Sequence, residues 1–165
     1  MSNIIFLDID GVLNHNPWEN KHLNDITEVE LIIPEKVVLL GELVKKTNAK
    51  LILHSGWRFW FDSDMQPVCK EVKVLAKELE KEGLVIADVT PDFSTEEIRK
   101  TKRFSKVKAE EILAWLSMHE DVKNWIVLDD LDLHNEIVKT HQIQIDARIG
   151  LCLEDIYVAE KMLVR

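Results

Sequence analysis

The sequence predicts a doubly wound α/β fold, a mostly parallel sheet with helices on both faces, and three observations carry that prediction. Short apolar runs alternate with stretches of helical period along the whole chain. The runs are continuously apolar, which suits strands covered on both faces. Three of them stop abruptly at polar residues: Leu7 gives way to Asp8, Leu53 to His54-Ser55 and Leu128 to Asp129-Asp130. A sheet wound by right-handed crossovers binds its ligands beyond the carboxyl ends of its strands, so these three ends mark one candidate site.

The first strand is Asn3-Ile4-Ile5-Phe6-Leu7. The stretch from Asn14 to Ile33 has no convincing period and reads as a loop, flap or small hairpin beside that strand's end. From Pro34 the pattern turns helical: proline suits a first-turn position, Val37, Leu40 and Val44 share a face, and Asn48 is a stop. Lys50 to Leu53 is a second strand. Val68, Val72, Leu75 and Leu79 mark the next helix, closed by Gly83, and Leu84 to Ala87 is a third short strand. Residues 106 to 117 read as a helix with Ala109, Ile112, Leu113 and Leu116 inward, followed by a strand over Trp125 to Leu128. A helix around 133 to 141, a weak strand at Gln144-Ile145 and a closing helix from about Glu154 complete the chain. The 165 residues, free of repeats and linkers, suit one domain over 1–165.

With 46% hydrophobic and 31% charged residues the composition is that of a globular chain, not a disordered one. A formal charge of −9 repels polyanions at long range and argues against non-specific coating of nucleic acid. Against that trend, Arg99, Lys100, Lys102, Arg103, Lys106 and Lys108 gather six of the 21 basic residues into one short stretch. No apolar run approaches the roughly 20 residues that span a bilayer, and the N-terminus carries acids by Asp8, so neither a signal peptide nor an anchor is expected. Cys69 and Cys152 lack metal or disulfide spacing and read as plain thiols of a reducing cytoplasm.

Residues i and i+2 of an extended segment project the same way, so Asp8 and Asp10 place two carboxylates in one pocket. Such crowding calls for a cation, and hard oxygen ligands suit Mg²⁺. One carboxylate can attack phosphorus while the other protonates the leaving oxygen and then activates water. Ser55, with the backbone N–H groups of Gly56 and its neighbour, offers donors to phosphoryl oxygens. Either Lys106 or Lys108 supplies the ammonium that neutralises them, and Asp129 and Asp130 complete the metal's carboxylates.

In this order the motifs Asp8-Ile9-Asp10-Gly11-Val12, Leu53-His54-Ser55, Lys108 and Leu128-Asp129-Asp130 resemble the haloacid dehalogenase superfamily. More closely, Ser55-Gly56-Trp57-Arg58, Lys108-Ala109-Glu110-Glu111-Ile112 with Trp115-Leu116, and Val127-Leu128-Asp129-Asp130 look like the compact domain of Swiss army knife RNA-repair proteins. The resemblance implies a Rossmann-like domain without a large cap. It also implies Asp8 as nucleophile, Asp10 as general acid and base, Ser55 and Lys108 on the phosphoryl group, and Mg²⁺ on Asp8, Asp129 and the Asp10 main-chain carbonyl, with Asp130 a ligand or an orienting neighbour. Gly56 stands where such domains often carry Ser, and Ala109 where a Gly often follows the basic residue, which leaves Lys106 a rival to Lys108.

The expected activity is hydrolysis of a phosphomonoester, the substrate a phosphorylated small molecule, a nucleotide or a nucleic-acid end. A phosphotransferase or phosphomutase, and a non-catalytic module that binds a phosphorylated ligand, are the alternatives. Arg58 is read as exposed enough to meet a substrate carboxylate or phosphate, Trp57, Trp60 and Phe61 as core packing or an aromatic wall, and His15 and His54 as structural.

Overall fold

The computed structural model describes residues 2–164. Its strands are β1 (Ser2–Leu7), β2 (Ala49–Leu53), β3 (Ile86–Val89), β4 (Val122–Asp129) and β5 (Gln142–Gln144). They form one sheet in the order β3-β2-β1-β4-β5, every pairing parallel. The order reverses at β1, so the crevice for a ligand opens beyond the carboxyl ends of β1 and β4. There the register pairs Leu7 with Leu128, which brings Asp8 alongside Asp129.

The helices are α1 (Glu28–Leu31), α2 (Pro34–Thr47), α3 (Lys70–Lys81), α4 (Glu96–Thr101), α5 (Ser105–Ser117), α6 (Glu136–Lys139) and α7 (Leu153–Leu163). Because successive strand residues point to opposite faces, the continuous apolar runs feed two layers. Ile5, Leu7, Leu51, Leu53, Ile126 and Leu128 pack with α2, α3 and α7. Ile4, Phe6, Ile52 and Val127 face the other way, onto Ala109, Ile112 and Trp115 of α5 and Val138 of α6.

Several elements differ from the sequence reading, each for a local reason. The third strand starts at Ile86, not Leu84, because Gly83 (φ +70°) turns the chain and the Leu84 N–H bonds back to Leu79 of α3 at 2.9 Å. Leu84 thus belongs to the helix cap, and Val85 is exposed. Val68 precedes α3 and is also exposed. The segment 14–33 holds no strand and so no hairpin; it forms a 3₁₀ turn at Leu23–Asp25 and then α1, whose start is fixed by a reciprocal Thr27–Glu30 capping box. The helix expected over 133–141 is confined to α6, since the Asn135 side chain caps it by accepting from Ile137 and Val138 and β5 already begins at Gln142. Helix α4, capped by Thr95, has no counterpart in the sequence reading. Among the described residues no helix is long and apolar enough to cross a membrane.

Ile5 lies at the middle of β1 with no exposed surface, so Ile5→Ala is expected to cost about 2–5 kcal/mol in urea denaturation. Val85→Ser should stay within about 0.5 kcal/mol. A large loss at Val85 would restore the earlier strand register.

Candidate active site

The chain leaves β1 still tied to the sheet, with the Asp8 N–H donating to the Leu128 carbonyl at 2.9 Å. Ile9 is buried, and its carbonyl accepts from Val12 and Leu13 to close a tight loop around Asp10 and Gly11. Gly11 has φ +78°, and a Cβ there would stand 2.7 Å from the Asp130 Oδ2, so only glycine meets both the backbone and the space requirement. Asn14 braces the loop from within the core. Its Oδ1 accepts from Gly11 and Asn16 at 3.0 Å each, and its Nδ2 donates to Asp10 Oδ1 at 3.0 Å and to the Leu31 carbonyl at 2.9 Å.

Asp8, Asp129 and Asp130 bring one carboxylate oxygen each within 4.8 Å of one another. Lys108 reaches in from α5, its Nζ 3.1 Å from Asp8 Oδ2 and 2.6 Å from Asp129 Oδ2. The buried His54 places Nε2 2.7 Å from the same Asp129 oxygen, and Leu131 donates its N–H to Asp129 Oδ1 at 2.8 Å. Burial opposes the charge on Lys108, but Asp129 and Asp8 outweigh it and keep the ammonium protonated above the ordinary lysine range. Burial likewise opposes the Asp129 carboxylate, and Lys108 with His54 overcomes it and holds that group well below the carboxylate range.

The other two acids go the other way. Burial raises Asp8 above the usual range against the pull of Lys108, with Asp129 adding to the rise. Burial and the charges of Asp8 and Asp129 push Asp130 up to about 7. Three carboxylates face one ammonium, and two of them hold protons more tightly than usual because burial and the neighbouring negative charges outweigh the pull of Lys108. These oxygen donors fit a hard divalent cation.

The remaining predicted residues divide. Ser55 is buried at the end of β2, where its Oγ caps the 3₁₀ turn Gly56–Trp60 by accepting from the Trp57 N–H, and both Ser55 and Gly56 line the cavity above Asp8. Lys106 is exposed and away from that cavity, since two residues of an α-helix differ by about 200° and only Lys108 faces the sheet. Asp10 does not bring its carboxylate into the acid cluster; Asn14, Trp18 and Trp57 hold it instead. Arg58, expected to be exposed, is buried. The 3₁₀ turn aims it under the loop, where it donates to the Ser55 carbonyl and to Glu111 of α5 at 3.0 Å each. The pairing has a physical cause, because Glu111 is itself buried and needs a cation. The basic stretch is partly neutralised, with Arg99 bonded to Asp92 and Lys100 to Glu96, each at 2.7 Å. Lys102 lines the cavity.

That cavity measures about 850 Å³, with Asp8, Asp10, Lys108 and Asp130 at its base and Trp18, Phe59, Trp60 and Phe104 among its walls. Sequence reasoning missed Asn14, Trp18 and Glu111 as parts of the site and took His54 for a structural residue beside the second motif, without its bond to Asp129. A weak signal existed for Asn14 alone, four residues after Asp10 in a loop that needs an internal brace.

A doubly wound parallel sheet with Asp-x-Asp-Gly at the end of β1, a buried lysine from the following layer and paired acids at the end of β4 defines a haloacid dehalogenase-type domain. The family model described as the HAD domain in Swiss Army Knife RNA repair proteins matches residues 4–156, and the chain belongs to that family. Comparison with curated proteins finds no match.

Gly11→Ala is expected to cost at least about 1–2 kcal/mol from the left-handed backbone alone, measured by urea denaturation. It should also weaken the binding of a divalent cation, measured by titration, because the new methyl displaces Asp130. Unchanged stability and affinity would refute the close approach.

Proposed function

We propose that the protein is a phosphomonoester hydrolase that uses Mg²⁺ and forms an aspartyl-phosphate on Asp8. The observation that carries this reading is the contact of Asp8 with the buried Lys108 ammonium at the base of a cavity that Asp10 and Ser55 also line. Lys108 fixes one Asp8 oxygen and leaves the other to attack phosphorus. As the ester P–O bond breaks, its electron pair stays on the leaving oxygen and Asp10 supplies the proton. In the second half Asp10 takes a proton from water, the water oxygen bonds to phosphorus, and the acyl phosphate P–O bond breaks to return Asp8 and release phosphate. Ser55, the Gly56 N–H and Lys108, which line the cavity, would receive the non-bridging oxygens, where charge builds in the transition state.

Asp8, Asp130 and the Asp10 main-chain carbonyl would hold Mg²⁺, which when bound neutralises phosphate and carboxylate charge and orients the ester. Hydrogen bonding favours Asp130 over Asp129 as the second carboxylate ligand, reversing the order drawn from the motifs. Three of the four Asp129 lone-pair positions are already taken, by His54 and Lys108 on one oxygen and Leu131 on the other. The Asp130 carboxylate is shaped chiefly by burial and neighbouring charge, and a cation bound there would displace its proton.

The cavity's size and its aromatic walls Phe59, Trp60 and Phe104 support an ester whose body carries a ring, such as a nucleotide or a nucleic-acid end, with Lys102 the basic-stretch residue that lines it. A smaller phosphorylated metabolite fits the same chemistry. Turnover of both classes side by side, at low and high salt, separates them, since polyanion binding weakens with salt.

Asp8→Asn is expected to abolish turnover of p-nitrophenyl phosphate with an unchanged circular dichroism spectrum, and EDTA should do the same reversibly. Retained turnover in Asp8→Asn would falsify the aspartyl-phosphate. Asp10→Asn should lose more activity on alkyl than on nitrophenyl esters, because a good leaving group needs little protonation.

Protons and Mg²⁺ should also compete in folding. The folded pKa of Asp130 lies above its unfolded value, so the folded state binds more protons between the ordinary carboxylate range and about pH 7, and the metal-free protein loses stability as pH rises through that window. The Tm gain on adding Mg²⁺ is therefore expected to be larger at pH 8 than at pH 5; a gain independent of pH would count against Asp130 as a ligand.

A further inference from the structure

The Asp10 carboxylate offers four lone-pair positions, and three are filled from three places in the chain. Asn14 Nδ2 and Trp18 Nε1 donate to Oδ1 at 3.0 and 3.2 Å, and Trp57 Nε1 donates to Oδ2 at 3.0 Å. Indole and amide N–H groups only donate, so none of the three can take a proton from Asp10 or give one to it. Oδ1 is full. The proton that Asp10 exchanges has one position left, the second lone pair of Oδ2.

The two indoles are themselves mounted differently. Trp57 is buried and packs against Trp60 with ring centroids 5.4 Å apart, while Trp18 is half buried and meets Trp57 and Trp60 at 6.2 and 6.0 Å. Trp57 comes from the turn after β2, the same turn that carries Ser55 and Gly56. Trp18 comes from the segment 14–33, which therefore serves as part of the mounting of Asp10.

Resting on the phosphatase reading, we propose that Trp18 and Trp57 are positioning residues whose indole N–H groups clamp the Asp10 carboxylate and select Oδ2 as the oxygen that delivers and recovers the proton. In the first half-reaction the Oδ2 proton passes to the ester oxygen as that oxygen leaves phosphorus with the bonding electron pair. In the second the same Oδ2 lone pair accepts a proton from the attacking water. Without the clamp the carboxylate rotates, both oxygens become equivalent, and the acid is no longer held toward the ester.

Two measurements on the full chain test the clamp. The first is independent of activity: in a ¹⁵N–¹H correlation spectrum the five tryptophans give five indole signals. Asp10→Ala is expected to move those of Trp18 and Trp57 upfield and speed their hydrogen exchange, while Trp115 and Trp125 stay in place. The second is kinetic and uses Trp18→Phe, because the buried Trp57 is the riskier site to change. That variant keeps a ring and removes the N–H, and its kcat on an alkyl phosphate should fall by about tenfold or more, with a much smaller fall on p-nitrophenyl phosphate. Trp125→Phe removes an indole N–H from the opposite face of the sheet, away from the cavity and from Asp10, and should leave the ratio between the two esters as in the parent.

Static indole signals in Asp10→Ala, or equal losses on both esters in Trp18→Phe, overturn the clamp even if Asp8→Asn is inactive and the phosphatase reading stands. If Asp8→Asn stays active, the phosphatase reading falls and the spectrum alone decides the clamp.

Discussion

One buried ammonium holds the end of the sheet together. Lys108 bridges Asp8, just beyond β1, and Asp129, at the end of β4, at 3.1 and 2.6 Å. Taking a lysine and two carboxylates out of water costs several kcal/mol for each ion, and only short, well-directed contacts offset it. The parallel register supplies them by setting Asp8 beside Asp129, and the phase of α5 supplies the lysine from the layer that also buries Ala109, Ile112 and Trp115. Removing the ammonium would leave like charges in contact, so the fold of this corner and the chemistry proposed for it rest on the same pair of contacts.

Lys108 does not balance the corner completely, and that imbalance divides the labour of the paired acids. Asp129 spends its oxygens on His54, Lys108 and Leu131, which makes it a strut between β2, α5 and the β4 end. Asp130 lies beside Gly11, close enough that a methyl group there would collide with it. Its raised proton affinity and that of Asp8 share a first cause, burial away from water, to which the charges of the neighbouring acids add. A cation bound between them would relieve both at once.

Strand existence, the order of the motifs and the gathering of Asp8, Ser55, Lys108 and the paired acids were legible, because long apolar runs and the polar residues that end them are local signals. What was illegible depended on three dimensions. Lys106 shares a helical face with Ala109 and Leu113, and Lys108 with Ile112 and Trp115, so the sequence offered two plausible inward faces until the sheet chose one. Adjacent acids at a strand end differ in role only through their partners, and His54, which takes up Asp129, comes from a strand 75 residues earlier. Arg58 looked free because its partner Glu111 lies 53 residues away. The β3 register slipped because a helix cap consumed Leu84.

Helix α5 carries a second tie whose geometry bears on the first. Glu111 lies one turn beyond Lys108, accepts from Arg58 at 3.0 Å and from the Phe93 N–H at 2.9 Å, and Arg58 in turn donates to the Ser55 carbonyl. The turn that presents Ser55 and Gly56 is thereby locked to the helix that presents Lys108. Replacing such a buried pair by apolar side chains often preserves stability, so stability alone does not explain it. Position does: in the proposed reaction a phosphoryl group would meet the Ser55 donors and the Lys108 ammonium together, and an apolar contact between the same elements would fix their relative position less closely. The planar guanidinium fixes direction as well as distance, because its N–H donors to the Ser55 carbonyl and the Glu111 carboxylate are held in one rigid plane. The corner is thus braced twice from one helix, by an ammonium that gathers the acids and by a carboxylate that holds the turn carrying Ser55 and Gly56 in register with it.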